Sequence, residues 1–124
     1  MLRWLPLWLA TGWLLVAAVV YLSLTPSPPE LEIDHGDKLG HVAAYAVITF
    51  WFMQIYDRTP SRLRIALAFA VMGIVLEVIQ GYGGHRTFDM QDMAANVAGV
   101  ALGWLAGPPR TGNVFLRVEA LVFS

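Results

Sequence analysis

The sequence predicts an all-α membrane protein, a compact bundle of four transmembrane helices in a single domain over residues 1–124. The 124-residue chain is 57% hydrophobic and only 14% charged, whereas soluble domains average about 45–50% apolar and about 25% charged residues. The apolar residues fall into four long segments separated by linkers rich in Pro, Gly and charge. Period-two alternation is missing, and lipid accommodates only helices or closed barrels, so we expect these segments to be helices.

Composition also excludes several classes of function. The chain has no cysteine, so disulfides and thiolate metal sites are ruled out. Its net charge of −1 provides no basic surface for nucleic acid. No H-E-x-x-H helix is present, and we predict neither a bound metal nor a cofactor.

The first helix is predicted over residues 5–24, which contain no charged residue. A spanning helix needs roughly 20 apolar residues, and this segment meets that length. Pro26, Pro28 and Pro29 cannot continue the helix. The apolar run exceeds the signal-peptide core of about 7–15 residues, and no A-x-A site precedes "TPSPPE", so we expect the helix to be retained.

Three further helices are predicted at about residues 39–56, 65–80 and 93–107. The linker "YDRTPSRLR" separates the second from the third, and "GYGGHRTFD" separates the third from the fourth. The tail, residues 108–124, is too short to span, and we expect it to lie on the membrane surface as a short helix.

Loop charges predict the orientation. The first loop, residues 25–38, contains four acids and one Lys, whereas the second, residues 57–64, contains three Arg and one acid. Positive residues mark the cytoplasmic side. We therefore expect a multi-pass protein of the cell membrane with the second loop and both termini in the cytoplasm.

This topology brings the polar residues together on the extracytoplasmic side, while the cytoplasmic ends of the helices should have no equivalent cluster. The candidates for a ligand-binding site are Asp37, Lys38, His41, Tyr45, Glu77, Gln80, Arg86, Asp89, Asp92 and Asn96. His41, Glu77 and Asp92 are also the candidates for acid–base catalysis, although no catalytic residue is assigned.

Helical spacing supports the convergence. Lys38, His41 and Tyr45 share one face of the second helix, whereas the adjacent Asp37 and Lys38 should not face each other. Two other stripes change from small residues on the cytoplasmic side to polar residues on the outer side: Ala66, Ala70, Gly73, Glu77 and Gln80, then Gly103, Gly99, Asn96, Asp92 and Asp89. Small residues let helices approach closely in lipid, and "GVALG" is a G-x-x-x-G motif.

Each candidate also has a purely structural interpretation. Asp37 would favour the positive end of the helix dipole, and Lys38 would reach the interface. Glu77, which is costly inside a bilayer, would form an ion pair with Arg86, Lys38 or His41.

The remaining residues have alternatives of the same kind. Tyr45 would be an interfacial aromatic, Asp89 and Asp92 would cap a helix, and Asn96 would bond across helices. Arg86 offers a planar guanidinium suited to a phosphate or carboxylate, and its structural alternative is a pair with Asp89 on a local turn.

The ordered motifs "DKLGHVAAY", "EVIQ" and "RTFDMQDMAANVAGVALG" resemble those of the VanZ-like family of small bacterial membrane proteins. The resemblance covers roughly residues 23–103. It implies an integral membrane protein with about four helices, so residues 1–124 would form one VanZ-like domain. The family takes its name from a protein associated with resistance to the glycopeptide teicoplanin, so the resemblance also implies a link to that resistance, without fixing a biochemical activity.

Three functions remain open. The first is binding of a membrane lipid or lipid-linked envelope molecule in a polar outer-leaflet pocket, with Lys38 and Arg86 holding an anionic head group. The second is an intramembrane acid–base or metal-assisted enzyme acting on a lipid-linked substrate. The third is a structural or accessory membrane subunit whose polar cluster only holds the bundle together.

Overall fold

A computed structural model of the protein describes residues 2–25, 36–83 and 89–124. Across these ranges the chain forms helices and no strand, which confirms the all-α prediction. The five helices are α1 (Leu5–Leu24), α2 (Gly36–Ile55), α3 (Thr59–Tyr82), α4 (Met90–Ala106) and α5 (Val114–Val122). By length and composition, α1 and α3 could each cross a membrane.

The helix boundaries agree with the sequence prediction for α1 and differ most for α3. We predicted a linker up to residue 64, but α3 already begins at Thr59. Pro60 sits in its first turn, where a missing N–H costs no intrahelical bond and the fixed φ suits a helix. Arg62 therefore lies inside the helix, is buried, and donates from Nε to the Tyr56 carbonyl at 2.7 Å.

The α2 helix lies at the centre and contacts all four other helices. Its closest partner is α4, which presents the glycines of the G-x-x-x-G motif. A Cβ on Gly103 would lie 2.6 Å from the Ala46 carbonyl oxygen, and one on Gly99 would lie 2.9 Å from the Tyr45 Cβ. The predicted close approach is confirmed, and the surface that the α4 glycines meet is the backbone of α2.

The interior of the bundle combines an apolar core around Ile48 and Phe52 with several buried polar side chains, and many large apolar side chains are exposed. Leu14, Leu67, Val71 and Leu102 are each more than half exposed. Among the residues that the structure describes, the buried polar ones are Thr49, Gln54, Arg62, Glu77, Gln80, Asp92, Asn96 and Glu119. Soluble proteins show the opposite distribution, whereas helices in lipid place polar and small residues at their mutual interfaces.

The tail forms the predicted short helix, α5, which packs against the start of α1. The Phe115 ring stacks on Trp8 with centroids 4.0 Å apart. Glu119 is buried and accepts hydrogen bonds from the backbone N–H groups of Arg3 and Trp4, at 2.7 and 2.9 Å. The beginning and the end of the chain therefore meet at the same end of the bundle.

Candidate functional site

At the other end of the bundle, Lys38 is enclosed by carboxylates. Its Nζ lies 2.8 Å from an oxygen of each of Asp37, Asp89 and Asp92. The expectation that Asp37 and Lys38 do not face each other is wrong, because the long Lys side chain turns back in the first turn of α2. The Lys38 ammonium holds the pKa of the Asp89 carboxyl below its usual range. These contacts join the beginning of α2 to the beginning of α4.

Asn96 positions His41. The Asn96 Nδ2 donates to the Gly73 carbonyl at 3.2 Å, and its Oδ1 lies 2.8 Å from His41 Nδ1. A carbonyl can only accept, so the amide nitrogen must face Gly73 and the amide oxygen must face His41. His41 Nδ1 therefore carries the hydrogen. One amide thus connects α4 to α3 and to α2, and it also sets the imidazole tautomer.

The second imidazole nitrogen points at a carboxylate. His41 Nε2 lies 3.7 Å from Asp92 Oδ2. This separation is too long for a direct hydrogen bond. Because Nδ1 carries the hydrogen, Nε2 of a neutral His41 offers a lone pair beside the Asp92 carboxylate, so both groups can accept a proton.

Glu77 lies deeper, with 1% of its surface exposed. Its Oε1 accepts a hydrogen bond from the Asp89 backbone N–H at 2.8 Å. Asp89 in turn caps α4 by accepting from the Gln91 N–H. One turn beyond Glu77, the Gln80 amide donates to the Ser23 carbonyl and so joins α3 to the end of α1.

Tyr45 forms the inner wall of this region and is also 1% exposed. Its hydroxyl has no hydrogen-bond partner among the residues that the structure describes. Its ring reaches α3, where its Cε1 would lie 3.2 Å from a Cβ on Gly73. Aromatic side chains in helices lean toward the N-terminus of their own helix, which for α2 is the end that carries His41 and Lys38.

The structure thus places nine of the ten predicted site residues at one end of the bundle. Arg86 lies outside the described residues. Within the described part of the chain, four carboxylates (Asp37, Glu77, Asp89 and Asp92) accompany one Lys and one His. No group of three or more His, Asp or Glu side chains there is arranged to hold a metal ion.

Sequence reasoning missed a second polar set at the opposite end, where we expected none. The buried Gln54 accepts from the Val114 N–H at 2.7 Å, and Asn113 donates to the Gln54 carbonyl at 2.8 Å. Glu119 accepts from the Trp8 indole at 2.8 Å, besides its two backbone donors. Burial opposes ionisation of the Glu119 carboxyl, but the three N–H donors outweigh it and hold its pKa below the usual range.

A signal for this set was present in the tail sequence. Asn113 is a typical N-cap before the apolar run "VFLRVE" and accepts from the Leu116 N–H. A single acid in such a run needs a partner when the run is buried. The partners, however, lie more than 100 positions away in sequence, and no local pattern specifies them.

Comparison with known proteins identifies the protein family. The model of the VanZ/LLP1 family matches residues 16–108, which include α2, α3 and α4 and the last nine residues of α1. The chain belongs to the VanZ/LLP1 family. The predicted resemblance is thereby confirmed, and family membership together with the two apolar helices indicates a membrane protein.

One curated protein is similar to the chain in sequence. The uncharacterized protein C11E3.10 of Schizosaccharomyces pombe is 30% identical over 80 residues, which cover 62% of this VanZ-like chain and 49% of the yeast protein. The chain therefore spans about half the length of this relative. No solved structure matches the chain.

Proposed function

We propose that this VanZ-like protein is a multi-pass membrane protein of the bacterial cell envelope that binds the head group of a lipid or lipid-linked molecule. In this proposal α1 to α4 cross the membrane, both termini are cytoplasmic, and the polar residues of α2, α3 and α4 form a pocket in the outer leaflet.

The observation that carries the proposal is the network formed by Lys38, Asp92, His41 and Asn96 at one end of a bundle whose outer surface is apolar. Lys38 and Asp92 keep 22% and 11% of their side chains exposed, and His41 keeps 13%. The network is therefore largely buried but still open at its edge. Ionisable groups inside a membrane helix are costly, and most mark a site of function. Partial exposure at the end of the helices suits a head group, because that is the depth at which head groups lie.

The expected contact between an anionic head group and Lys38 requires Lys38 to leave its three carboxylates. Arg86 is the other predicted anion contact, and its planar guanidinium group suits a phosphate. A density map of the protein purified in native lipid tests the proposal. We expect head-group density between α2 and α4, beside His41 and Asp92. A map in which every lipid contacts only the apolar outer surface would contradict it.

We further propose that this binding contributes to teicoplanin resistance. The support is membership of the family in which that link is known. The test is teicoplanin susceptibility of a sensitive bacterium that expresses the wild-type chain or His41→Ala at equal membrane abundance. Equal susceptibility of the two strains would remove this part of the proposal.

An intramembrane acid–base enzyme is the second candidate, and one observation favours it. His41 is held by Asn96 with Nδ1 protonated, so Nε2 is available as a base, and Asp92 lies 3.7 Å away. Such a pair could move a proton of a bound hydroxyl or water. Covalent change of a lipid-linked substrate that stops with His41→Ala would favour catalysis, whereas unchanged bound lipid would favour binding.

A further inference from the structure

We propose that the site recognises a primary ammonium group, such as that of an aminophospholipid head group, and that the Lys38 ammonium occupies the position where this group binds. The inference rests on the proposed function and specifies its ligand class.

The first step is the geometry around Lys38. An ammonium has three N–H donors, and Lys38 Nζ has three carboxylate neighbours, each at 2.8 Å. Asp37 belongs to α2, while Asp89 and Asp92 belong to the beginning of α4. Asp37 and Asp89 accept hydrogen bonds from Nζ, and Asp92 adds an ion pair without hydrogen-bond geometry. Two helices together thus surround one R–NH₃⁺ group with three carboxylates. A quaternary ammonium has no N–H and could not make these hydrogen bonds.

The second step is charge. One Lys neutralises one of the three carboxylates, so this site retains an excess of negative charge in the described structure. Glu77 lies behind it and accepts from the Asp89 N–H. A cationic group therefore gains more than an anion on entering.

The third step is independent of the carboxylates. The Tyr45 hydroxyl is buried and lacks a hydrogen-bond partner among the described residues. Aromatic side chains of a helix incline toward its N-terminal end, which in α2 is the end that carries Lys38. A buried hydroxyl without a partner is costly, and native structures rarely leave one. A head group inserted beside His41 would supply the missing partner.

The fourth step is exchange. The Lys38 side chain is 22% exposed and has a flexible four-carbon stem. When a ligand ammonium enters the three-carboxylate site, Lys38 can swing outward and pair with the phosphate of the same head group. A cation then replaces a cation in the site, and Lys38 exchanges one anionic partner for another. A zwitterionic phosphoethanolamine group provides both charges.

The experiment measures lipid retained by the purified full chain after transfer into nanodiscs of equal parts phosphatidylethanolamine, phosphatidylcholine and phosphatidylglycerol. We expect phosphatidylethanolamine to be enriched at least about tenfold over phosphatidylcholine in the lipid that stays bound once annular lipid has been removed. This enrichment corresponds to a preference of about 1.4 kcal/mol. Asp37→Asn, a change at a half-exposed side chain, should reduce this enrichment without unfolding the bundle. Asp92→Asn should abolish it. Arg64→Gln, on the exposed face at the opposite end of α3, is the matched control and should leave it unchanged.

Free ethanolamine distinguishes two sources of the ammonium. If millimolar ethanolamine displaces phosphatidylethanolamine, a soluble amine can use the site; if it does not, the lipid itself is the ligand. Equal retention of phosphatidylethanolamine and phosphatidylcholine by the wild type, with loss of both in Asp92→Asn, would overturn the ammonium proposal and leave lipid binding intact. Equal retention of lipid by all variants would overturn the proposed function itself.

Discussion

Asn96 and His41 are joined by a 2.8 Å hydrogen bond that links α4 to α2, while the same Asn96 amide donates to the Gly73 carbonyl of α3. The Asn96 side chain therefore links three helices. Asn96→Ala should lower the free energy of unfolding by about 1–2 kcal/mol, because it leaves the largely buried His41 N–H without an acceptor and removes the bond from Asn96 to the Gly73 carbonyl. Thermal unfolding in detergent measures the change.

Gln91→Ala, on the exposed side of the same helix, is the control for Asn96→Ala and should have little effect. Nitrogen NMR of labelled His41 provides a second measurement. We expect Nδ1 to carry the hydrogen when His41 is neutral in the wild type, and this preference to disappear in Asn96→Ala. A wild-type protein with hydrogen on Nε2 and not on Nδ1 would contradict the assignment.

The glycines of α4 provide a second test. Gly103→Ala should destabilise the bundle by about 1–3 kcal/mol, because a Cβ there would lie 2.6 Å from the Ala46 carbonyl oxygen and 2.7 Å from the Thr49 Cβ. Gly40→Ala is the matched control, since a Cβ on Gly40 would meet nothing within 4 Å. That change should stabilise α2 by about 0.5–1 kcal/mol. Equal effects of the two substitutions would show that α2 and α4 are not in contact as described.

Sequence patterns were sufficient for features that depend on helical spacing. Gly99 and Gly103 lie four residues apart, so their close contact with a neighbouring helix could be predicted from α4 alone. The same spacing placed Asp92 and Asn96 at the polar end of that stripe. It could not show that the stripe faces α2, because spacing defines a face of one helix and carries no information about which helix covers it.

Features that depend on distant contacts were missed. The contacts of Glu119 with Arg3 and Trp4 join the two ends of the chain. The early beginning of α3 was missed for a different reason. Pro60 and the charges around it were interpreted as a linker, whereas Pro in a first turn is compatible with a helix.

The Glu119 contact predicts a dependence on pH. The pKa of Glu119 is lowered in the folded protein, so its contribution to stability is complete above the ordinary Glu value of 4.5 and is lost as pH falls below this value through the folded pKa. Hydrogen exchange of the α5 amides should therefore accelerate in that acidic range. Glu119→Gln should accelerate it already at neutral pH and flatten the pH dependence.

Asp57→Asn, which changes an exposed acid outside the helices, is the control for Glu119→Gln and should leave α5 exchange unchanged. An α5 that exchanges equally slowly in wild type and Glu119→Gln at all pH values would show that the carboxylate does not hold the helix in place.

The proposed topology predicts opposite labelling at the two ends of α3. A Cys introduced at Ser61 should resist a membrane-impermeant thiol reagent in whole cells, because the Arg-rich end should face the cytoplasm. A Cys at Tyr82, which is 89% exposed, should react. The absence of native Cys makes the background low. Labelling at Ser61 with protection at Tyr82 would contradict the orientation.

Whether the polar cluster binds a ligand or only holds the helices together is decided most directly by Glu77→Gln, Arg86→Gln and the double variant. Thermal stability in detergent and the amount of co-purified lipid are measured for all three. If the cluster is a binding site, Arg86→Gln should remain folded with reduced lipid, and Glu77→Gln should alter lipid retention. If Glu77 and Arg86 form only a structural pair, each single change leaves a buried charge without its partner and lowers the free energy of unfolding by about 3–5 kcal/mol. The double variant then recovers part of that loss. Unchanged lipid in all three variants, together with strong thermal coupling between the two positions, would contradict ligand binding.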